Sequence, residues 1–264
     1  MVISQGFKEK KILIQGLEVN YKIQGVESPL LILHGWGNSS DAWVSIQKIL
    51  AEEGFKVIVP DLPGFGKSKT PKKYWNIDDY VWWLQSFIEK TKIRKPFFLL
   101  GHSFGGRIAI KFSVKYPEKI KSQILLDSAG IKSNLNFKQK TIFLLVKIGN
   151  YLFPKKSLVE FGNIARNIFY KIIREKDYVK LNETMKGTIK KILNEDLLDF
   201  LPNIKIKTLL VWGKRDKMIP IKYAYLMKEK IPNSKLIILP DSGHSPQRDN
   251  PKKLAQIIIR FLRP

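Results

Sequence analysis

Short unbroken apolar runs recur along this chain with amphipathic stretches between them, and that alternation narrows the available folds more than any other feature. The runs are Pro29–Leu33, Lys56–Pro60, Pro96–Leu100, Ser122–Leu126, Thr208–Trp212 and Lys235–Leu239. A strand that meets solvent on one face alternates apolar and polar residues. One covered on both faces is apolar throughout, as parallel strands sandwiched between helices are. Two N-terminal segments, Lys11–Gln15 and Glu18–Gln24, do alternate, and they read as a hairpin turning near Gly16–Leu17. Together these segments predict an α/β protein with a mostly parallel eight-stranded sheet flanked by helices.

The intervening stretches carry helical spacing. Ile77, Tyr80, Val81, Leu84, Phe87 and Ile88 form one apolar stripe, and Leu254, Ile257, Ile258, Phe261 and Leu262 another. Asn250 before Pro251 has the chemistry of an N-cap and a first helical residue. Between 131 and 204 the strand alternation stops. Ile164, Ile168 and Ile172, then Ile189, Ile192 and Leu193, fall at helical spacing. This predicts residues 1–130 and 205–264 as one α/β core, with 131–204 as a helical cap inserted into it. A chain of 264 residues is long enough for that arrangement.

The strongest chemical signal is Gly101-His-Ser-Phe-Gly-Gly106, which lies between the run ending at Leu100 and a helix predicted to continue to about Tyr116. A sharp strand-to-helix turn lifts its central residue, Ser103, to the sheet edge as a candidate nucleophile, and flanking glycines relieve the crowding. A serine hydroxyl is a weak nucleophile without a base. The chain has three histidines. His102 adjoins the serine and its side chain should diverge from it. His34 closes a strand and reads as a loop-shaping residue. His244, in the loop after the last apolar run, is the candidate base. Asp216, in the loop after Thr208–Trp212, is the candidate orienting carboxylate, with Asp127 a second candidate and Asp241 a turn residue. The order Ser103, Asp216, His244 is the one this type of strand–turn–helix nucleophile uses. Two backbone N–H groups should meet a developing oxyanion: that of Phe104, following the nucleophile, and that of Trp36, in the Gly-rich loop after Leu33.

His34-Gly-Trp-Gly37, Asp61-Leu-Pro-Gly-Phe-Gly-Lys-Ser68, the Ser103 motif and the Asp216 and His244 loops together resemble the α/β-hydrolase superfamily over nearly the whole chain. The resemblance is to its capped carboxylesterase and C–C-bond hydrolase groups, and the first two motifs are similar to esterases of pimeloyl-carrier-protein methyl ester. It implies an α/β-hydrolase fold with a cap. It also implies a pocket bordered by Asp61–Ser68, with Trp36, Phe65 and His102 as substrate-binding residues. A serine nucleophile departs from the dehalogenase and epoxide hydrolase branches, and His102 stands where C–C-bond hydrolases often carry Asn, which leans toward esters. The implied substrate is a small-molecule ester with an apolar portion. C–C-bond hydrolysis, cofactor-free perhydrolysis and acyl transfer use the same three side chains, and a non-catalytic ligand receptor could retain them.

The formal charge of +24 raises nucleic acid as a partner. The excess is spread, however: +7 over residues 1–130, +7 over 131–204 and +10 over 205–264. Lysine outnumbers arginine 39 to 8, whereas base readout favours arginine. No nucleic-acid partner is therefore expected, and the charge reads as a solvated surface. Scattered histidines without metal-ligand spacing predict no metal, and no dinucleotide or phosphate-loop pattern suggests a cofactor. No apolar stretch has the length of a membrane span or signal segment, so the expected location is cytoplasmic. The pattern says nothing of oligomeric state.

Overall fold

The computed structural model describes residues 6–132 and 182–263. Its eight strands are β1 (Lys8–Ile14), β2 (Leu17–Gln24), β3 (Ser28–Leu33), β4 (Phe55–Pro60), β5 (Phe97–His102), β6 (Ile120–Leu126), β7 (Thr208–Gly213) and β8 (Ser234–Leu239). They form one sheet in the order β1-β2-β4-β3-β5-β6-β7-β8. The first two pairings, β1–β2 and β2–β4, are antiparallel, and every later one is parallel. The hairpin turns through Gln15 (φ 52°) and Gly16 (φ 76°), with Ile14 opposite Leu17. That is a two-residue turn of positive φ, which matches the right-handed twist of the flanking strands. β1 begins three residues before the alternating pattern, at Lys8-Glu-Lys-Lys11. Those residues are solvent-exposed on the sheet edge, where charge discourages pairing with another chain.

The described helices are α1 (Val44–Glu52), α2 (Ile77–Lys90), α3 (Phe104–Lys115), α4 (Glu183–Asn194), α5 (Lys222–Lys230) and α6 (Pro251–Leu262). The strands alternate their side chains between two apolar layers. Leu30 and Ile32, Val57 and Val59, Phe98 and Leu100, Ile124 and Leu126, and Leu209 and Val211 share one face with Trp43, Ile46 and Leu50 near α1 and Leu254 and Ile258 of α6. Leu31, Leu33, Ile58, Leu99, Leu125 and Leu210 point to the other, equally buried face, where α3 lies against β3, β5 and β6 with α2 beside it. Burying one such Leu or Ile is worth about 1.5–3 kcal/mol, which is why continuous apolar runs lie where two helical layers cover a sheet. Asn76 caps α2 through the Asp79 N–H while the Asp79 carboxylate accepts from the Asn76 N–H, and Asn250 caps α6 ahead of Pro251.

Much of the predicted cap, including Ile164, Ile168 and Ile172, lies outside the described residues. Of 131–204, the described part contains α4 and a 3₁₀ segment at Leu198–Asn203, which belong to the same compact unit as the sheet. They are tied down by charge. The buried Lys111 ammonium on α3 bridges Asp78 and Glu195, each at 2.6 Å, and Arg107 donates to the Glu195 carbonyl at 2.9 Å. Among the described residues no helix is long and apolar enough to cross a membrane.

Parallel pairing aligns the strand ends. Leu33 lies beside Gly101, His102 beside Leu126, Leu126 beside Val211, and Gly213 beside Leu239. The loops after β3, β4, β5, β6, β7 and β8 therefore emerge along the carboxyl edge of the sheet, where open α/β sheets place their ligand sites.

Candidate active site

At the end of β5 the chain turns into α3 through Ser103, whose φ of 52° and ψ of −113° lie outside the regions a side-chain-bearing residue prefers. Three backbone hydrogen bonds hold the turn: Ser103 N–H to Leu126 O at 3.1 Å, Gly106 N–H to Ser103 O at 3.0 Å and Ala129 N–H to Ser103 O at 3.1 Å. The flanking glycines are needed for space. A Cβ on Gly105 would stand 2.2 Å from the Leu33 carbonyl oxygen, and one on Gly101 would stand 2.6 Å from the Gly105 carbonyl.

His244 arrives from the β8 loop. Its Nδ1 lies 2.7 Å from Asp216 Oδ2, and its Nε2 lies 2.9 Å from Ser103 Oγ. A carboxylate only accepts, so Nδ1–H donates to Asp216, and Nε2 offers its lone pair to the serine hydroxyl. Asp216 is set before the imidazole reaches it. Its Oδ1 accepts the N–H groups of Met218 (2.7 Å) and Ile219 (2.9 Å), and its own N–H returns to Gly213 O. The two loops are also joined directly: Lys214 N–H donates to Leu239 O and Arg215 N–H to Ser242 O. The Asp216 side chain has no exposed surface, while that of His244 keeps 14%. His244 thus keeps an exposed edge while the carboxylate it meets stays out of water.

His102 is 2% exposed and points behind the base. Its Nε2–H donates to the His244 carbonyl at 2.8 Å, and the two rings lie 5.1 Å apart. Burial, helped by the neighbouring His244, brings its imidazole down to about 3, so it is neutral and Nδ1 is left as an acceptor. Its contacts brace the loop that carries the base. His34 is a fully buried link between two loops: Nε2 accepts the Leu62 N–H at 2.9 Å and Nδ1–H donates to Gly35 O at 2.8 Å. Burial holds its imidazole below the usual histidine range.

The Trp36 and Phe104 N–H groups have no protein acceptor among the described residues. Phe104 is the first residue of α3, so its N–H is one of the free amides at a helix start, where the helix dipole is positive. Aromatic rings from these and neighbouring elements pack together. Trp36 and Phe65 lie 4.7 Å apart, Trp36 and Phe104 5.3 Å, and Tyr80 and Phe104 5.0 Å, all edge to face. Phe65 is 6% exposed, and the Tyr80 hydroxyl donates to Pro63 O.

Two polar features exceed the sequence reading. The first anchors the loops that flank the nucleophile. The Asp61 carboxylate accepts from Ser40 N–H (2.6 Å), Lys67 N–H (2.9 Å) and Asn20 Nδ2 (3.0 Å). The buried Lys22 ammonium reaches Ser40 Oγ (3.2 Å) and Asp41. Asn20 and Lys22 alternate with apolar residues along β2 and so read as solvent-facing, yet they are 1% and 4% exposed. The signal was available in Asp61, an acid placed directly after an apolar run. The second feature is Asp127. Its carboxyl is fully buried and its Oδ1 accepts Gly213 N–H at 2.8 Å, from the same residue whose carbonyl accepts Asp216 N–H; burial and the neighbouring Asp216 charge push it well above the usual carboxylate range. The carboxylate that meets His244 is Asp216, with Asp127 one step behind it.

A family model described as the alpha/beta hydrolase fold matches residues 28–152 and 179–251, three quarters of the chain. The chain belongs to the α/β-hydrolase fold family. A pimeloyl-[acyl-carrier protein] methyl ester esterase of Wigglesworthia glossinidia brevipalpis is 33% identical over 260 residues, covering 89% of this chain and 93% of that protein. A 2-hydroxy-6-oxo-6-(2'-aminophenyl)hexa-2,4-dienoic acid hydrolase of Metapseudomonas resinovorans is 26% identical over 271 residues, covering 97% and 91%. Among solved structures, an esterase from Exiguobacterium antarcticum superposes with a TM-score of 0.75, at 24% identity and over 97% and 100% of the two chains; it bears on the fold alone. This α/β hydrolase is an enzyme of hydrolytic chemistry, with esterases and C–C-bond hydrolases among its relatives.

Proposed function

We propose that the protein hydrolyses carboxylic esters of small to medium, mainly apolar substrates through an acyl-enzyme on Ser103. The observation that carries this is the continuous hydrogen-bond chain from Ser103 Oγ through His244 to Asp216, at 2.9 and 2.7 Å. Within it the hydroxyl is activated by an adjacent base whose tautomer is set by a buried carboxylate. As Ser103 Oγ attacks the ester carbonyl, its proton passes to His244 Nε2. The carbonyl oxygen becomes an oxyanion that takes the free N–H groups of Trp36 and Phe104, each worth about 3 kcal/mol in the transition state. His244 then protonates the leaving alkoxide, which departs as the alcohol. A water gives its proton to the same nitrogen as it attacks the acyl-enzyme, and His244 returns that proton to Ser103 Oγ as the acid leaves. These steps use only the chain's own groups and water.

Support for an apolar acyl or alcohol portion comes from the Trp36, Phe65 and Phe104 rings, which pack against one another on the residues that carry the N–H donors and on the neighbouring Asp61–Ser68 loop. The esterase relative, whose name gives a methyl ester as substrate, supports an ester over other acyl chemistry. A second reading, C–C-bond hydrolysis by the same groups, is favoured by the relative that hydrolyses a hexa-2,4-dienoic acid. The test is a chain-length panel of p-nitrophenyl esters run beside a dienoic-acid substrate, on the wild type and on Ser103→Ala. Ester turnover should fall by roughly 10⁶-fold in the variant, as in serine proteases that lose their nucleophile. Turnover that survives in Ser103→Ala refutes the reading. Turnover of the dienoic acid alone selects the second.

A further inference from the structure

Asp127 closes β6 in a left-handed conformation (φ 40°), in the turn whose Ala129 N–H donates to the nucleophile's own carbonyl. Its N–H donates to Val211 O at 2.9 Å, and its Oδ1 accepts Gly213 N–H, so it is bonded on either side of Trp212 at the end of β7, where the loop to Asp216 begins. Its Oδ2 is buried and receives no N–H or O–H among the described residues. A carboxylate oxygen without a donor, out of water and beside a second carboxylate, is a costly arrangement. The cost disappears if the carboxyl carries a proton. It then has a donor to offer, and Asp216 is the acceptor at hand.

Resting on the Ser103–His244–Asp216 reading above, we infer that Asp127 is a positioning residue. It is held as the neutral acid and donates its O–H to the Asp216 carboxylate, so that Asp216 stays oriented on His244 Nδ1. The Asp216 oxygens then have donors from four directions: Met218 N–H, Ile219 N–H, His244 Nδ1–H and the Asp127 hydroxyl. The charged groups that act on Asp127 agree. Burial first, then the Asp216 charge, with Asp249 as a further negative neighbour, push its carboxyl well above the usual carboxylate range, and the Gly213 N–H only partly offsets them. Two neighbouring carboxyl groups out of water resist ionising together, and the proton goes to the one with fewer donors. Asp216 has two amides and an imidazole, and Asp127 has one amide.

Charge and shape separate this from an ordinary buried acid. Asn has the shape of the neutral acid, with a carbonyl for Gly213 N–H and an N–H for Asp216, and it tolerates positive φ. Gly also tolerates that backbone but removes both bonds. Asp127→Asn should keep kcat/KM within about threefold of the wild type on the best ester of the panel. Asp127→Gly should lose on the order of 10–100-fold, in kcat and not in KM, the size of loss found when the hydrogen-bond partner that orients a metal-ligating side chain is removed. Asp127→Asn falling as far as Asp127→Gly would overturn the inference, because a charge would then be required. So would an unimpaired Asp127→Gly. Infrared difference spectra at neutral pH, which need neither turnover nor Asp127→Gly, should show a protonated carboxyl band in the wild type that Asp127→Asn lacks; a carboxylate band alone overturns the inference. Fluorophosphonate labelling of wild-type Ser103 keeps the two readings apart. An unlabelled Ser103 counts against the nucleophile, whereas labelling together with a crippled Asp127→Asn counts against the shared proton only.

Discussion

Replacing Asp216 by Asn removes one charge and adds one N–H, and the surroundings dictate which way the amide faces. Its carbonyl oxygen belongs where Oδ1 now accepts the Met218 and Ile219 N–H groups at 2.7 and 2.9 Å. Turning the amide over would set its NH₂ against two donors. The NH₂ therefore occupies the Oδ2 position, 2.7 Å from His244 Nδ1. A donor there requires Nδ1 to be the lone pair, which moves the ring proton to Nε2 and aims it at Ser103 Oγ. The imidazole can then no longer take the serine proton, and the charge that would stabilise an imidazolium has gone. In serine proteases this swap of tautomer costs roughly 10⁴ in kcat, equivalent to about 5.5 kcal/mol at 1.36 kcal/mol per factor of ten. We expect the same order of loss here in kcat on an ester substrate, with KM near the wild-type value. The fold should stand: the Asn keeps both amide bonds and takes a negative charge away from Asp127, so the melting temperature should move by no more than about 5 °C. Stopped assays with active-site titration give kcat, and differential scanning calorimetry gives stability. Retention of a tenth or more of wild-type kcat with a correctly folded variant would refute the tautomer argument.

Three further outcomes follow from the geometry. Ser103→Gly should abolish ester turnover yet raise the melting temperature, because φ of 52° strains a side-chain-bearing residue by roughly 1 kcal/mol or more and glycine adopts it freely; an unchanged or lower melting temperature contradicts stored strain at the elbow. Gly105→Ala places a methyl group 2.2 Å from the Leu33 carbonyl, so α3 must withdraw from β3, and both stability and turnover should drop; a variant with wild-type values would mean the close approach is not needed. Acid should destabilise the protein through His102. Its folded value near 3 lies below the ordinary 6.5, so the unfolded chain takes up a proton that the folded one refuses. Stability is then intact above about pH 7 and falls by up to about 1.4 kcal/mol per pH unit between 6.5 and 3 for this group. Urea unfolding of the wild type and His102→Asn at pH 7 and 4.5 should show a shallower acid slope in the variant.

The fold was legible because its strands are covered on both faces, which leaves runs such as Pro29–Leu33 apolar throughout with no alternation to misread. Lys8–Lys10 of β1 carry no strand pattern for the opposite reason: an exposed edge strand has no buried face to write into the sequence. Ser103, Asp216 and His244 are legible because each lies within five residues after a strand end, and register brings those ends together. What was not legible is how polar residues satisfy one another across the chain. Asn20 and Lys22 alternate with apolar residues as solvent-facing residues do, and only pairing of β2 with β4 joins them to Asp61 in a buried cluster. His102 and Asp127 show the same limit from the catalytic side. By residue type either could serve the imidazole directly, and both lie at strand ends, close to Ser103, Asp216 and His244. Their difference is depth. His102 spends its one N–H on the His244 backbone, and Asp127 meets Gly213 and Asp216, each a bond behind the reacting atoms. A site of this kind is built in two layers from the same strand ends, and sequence order marks the ends without marking the layer.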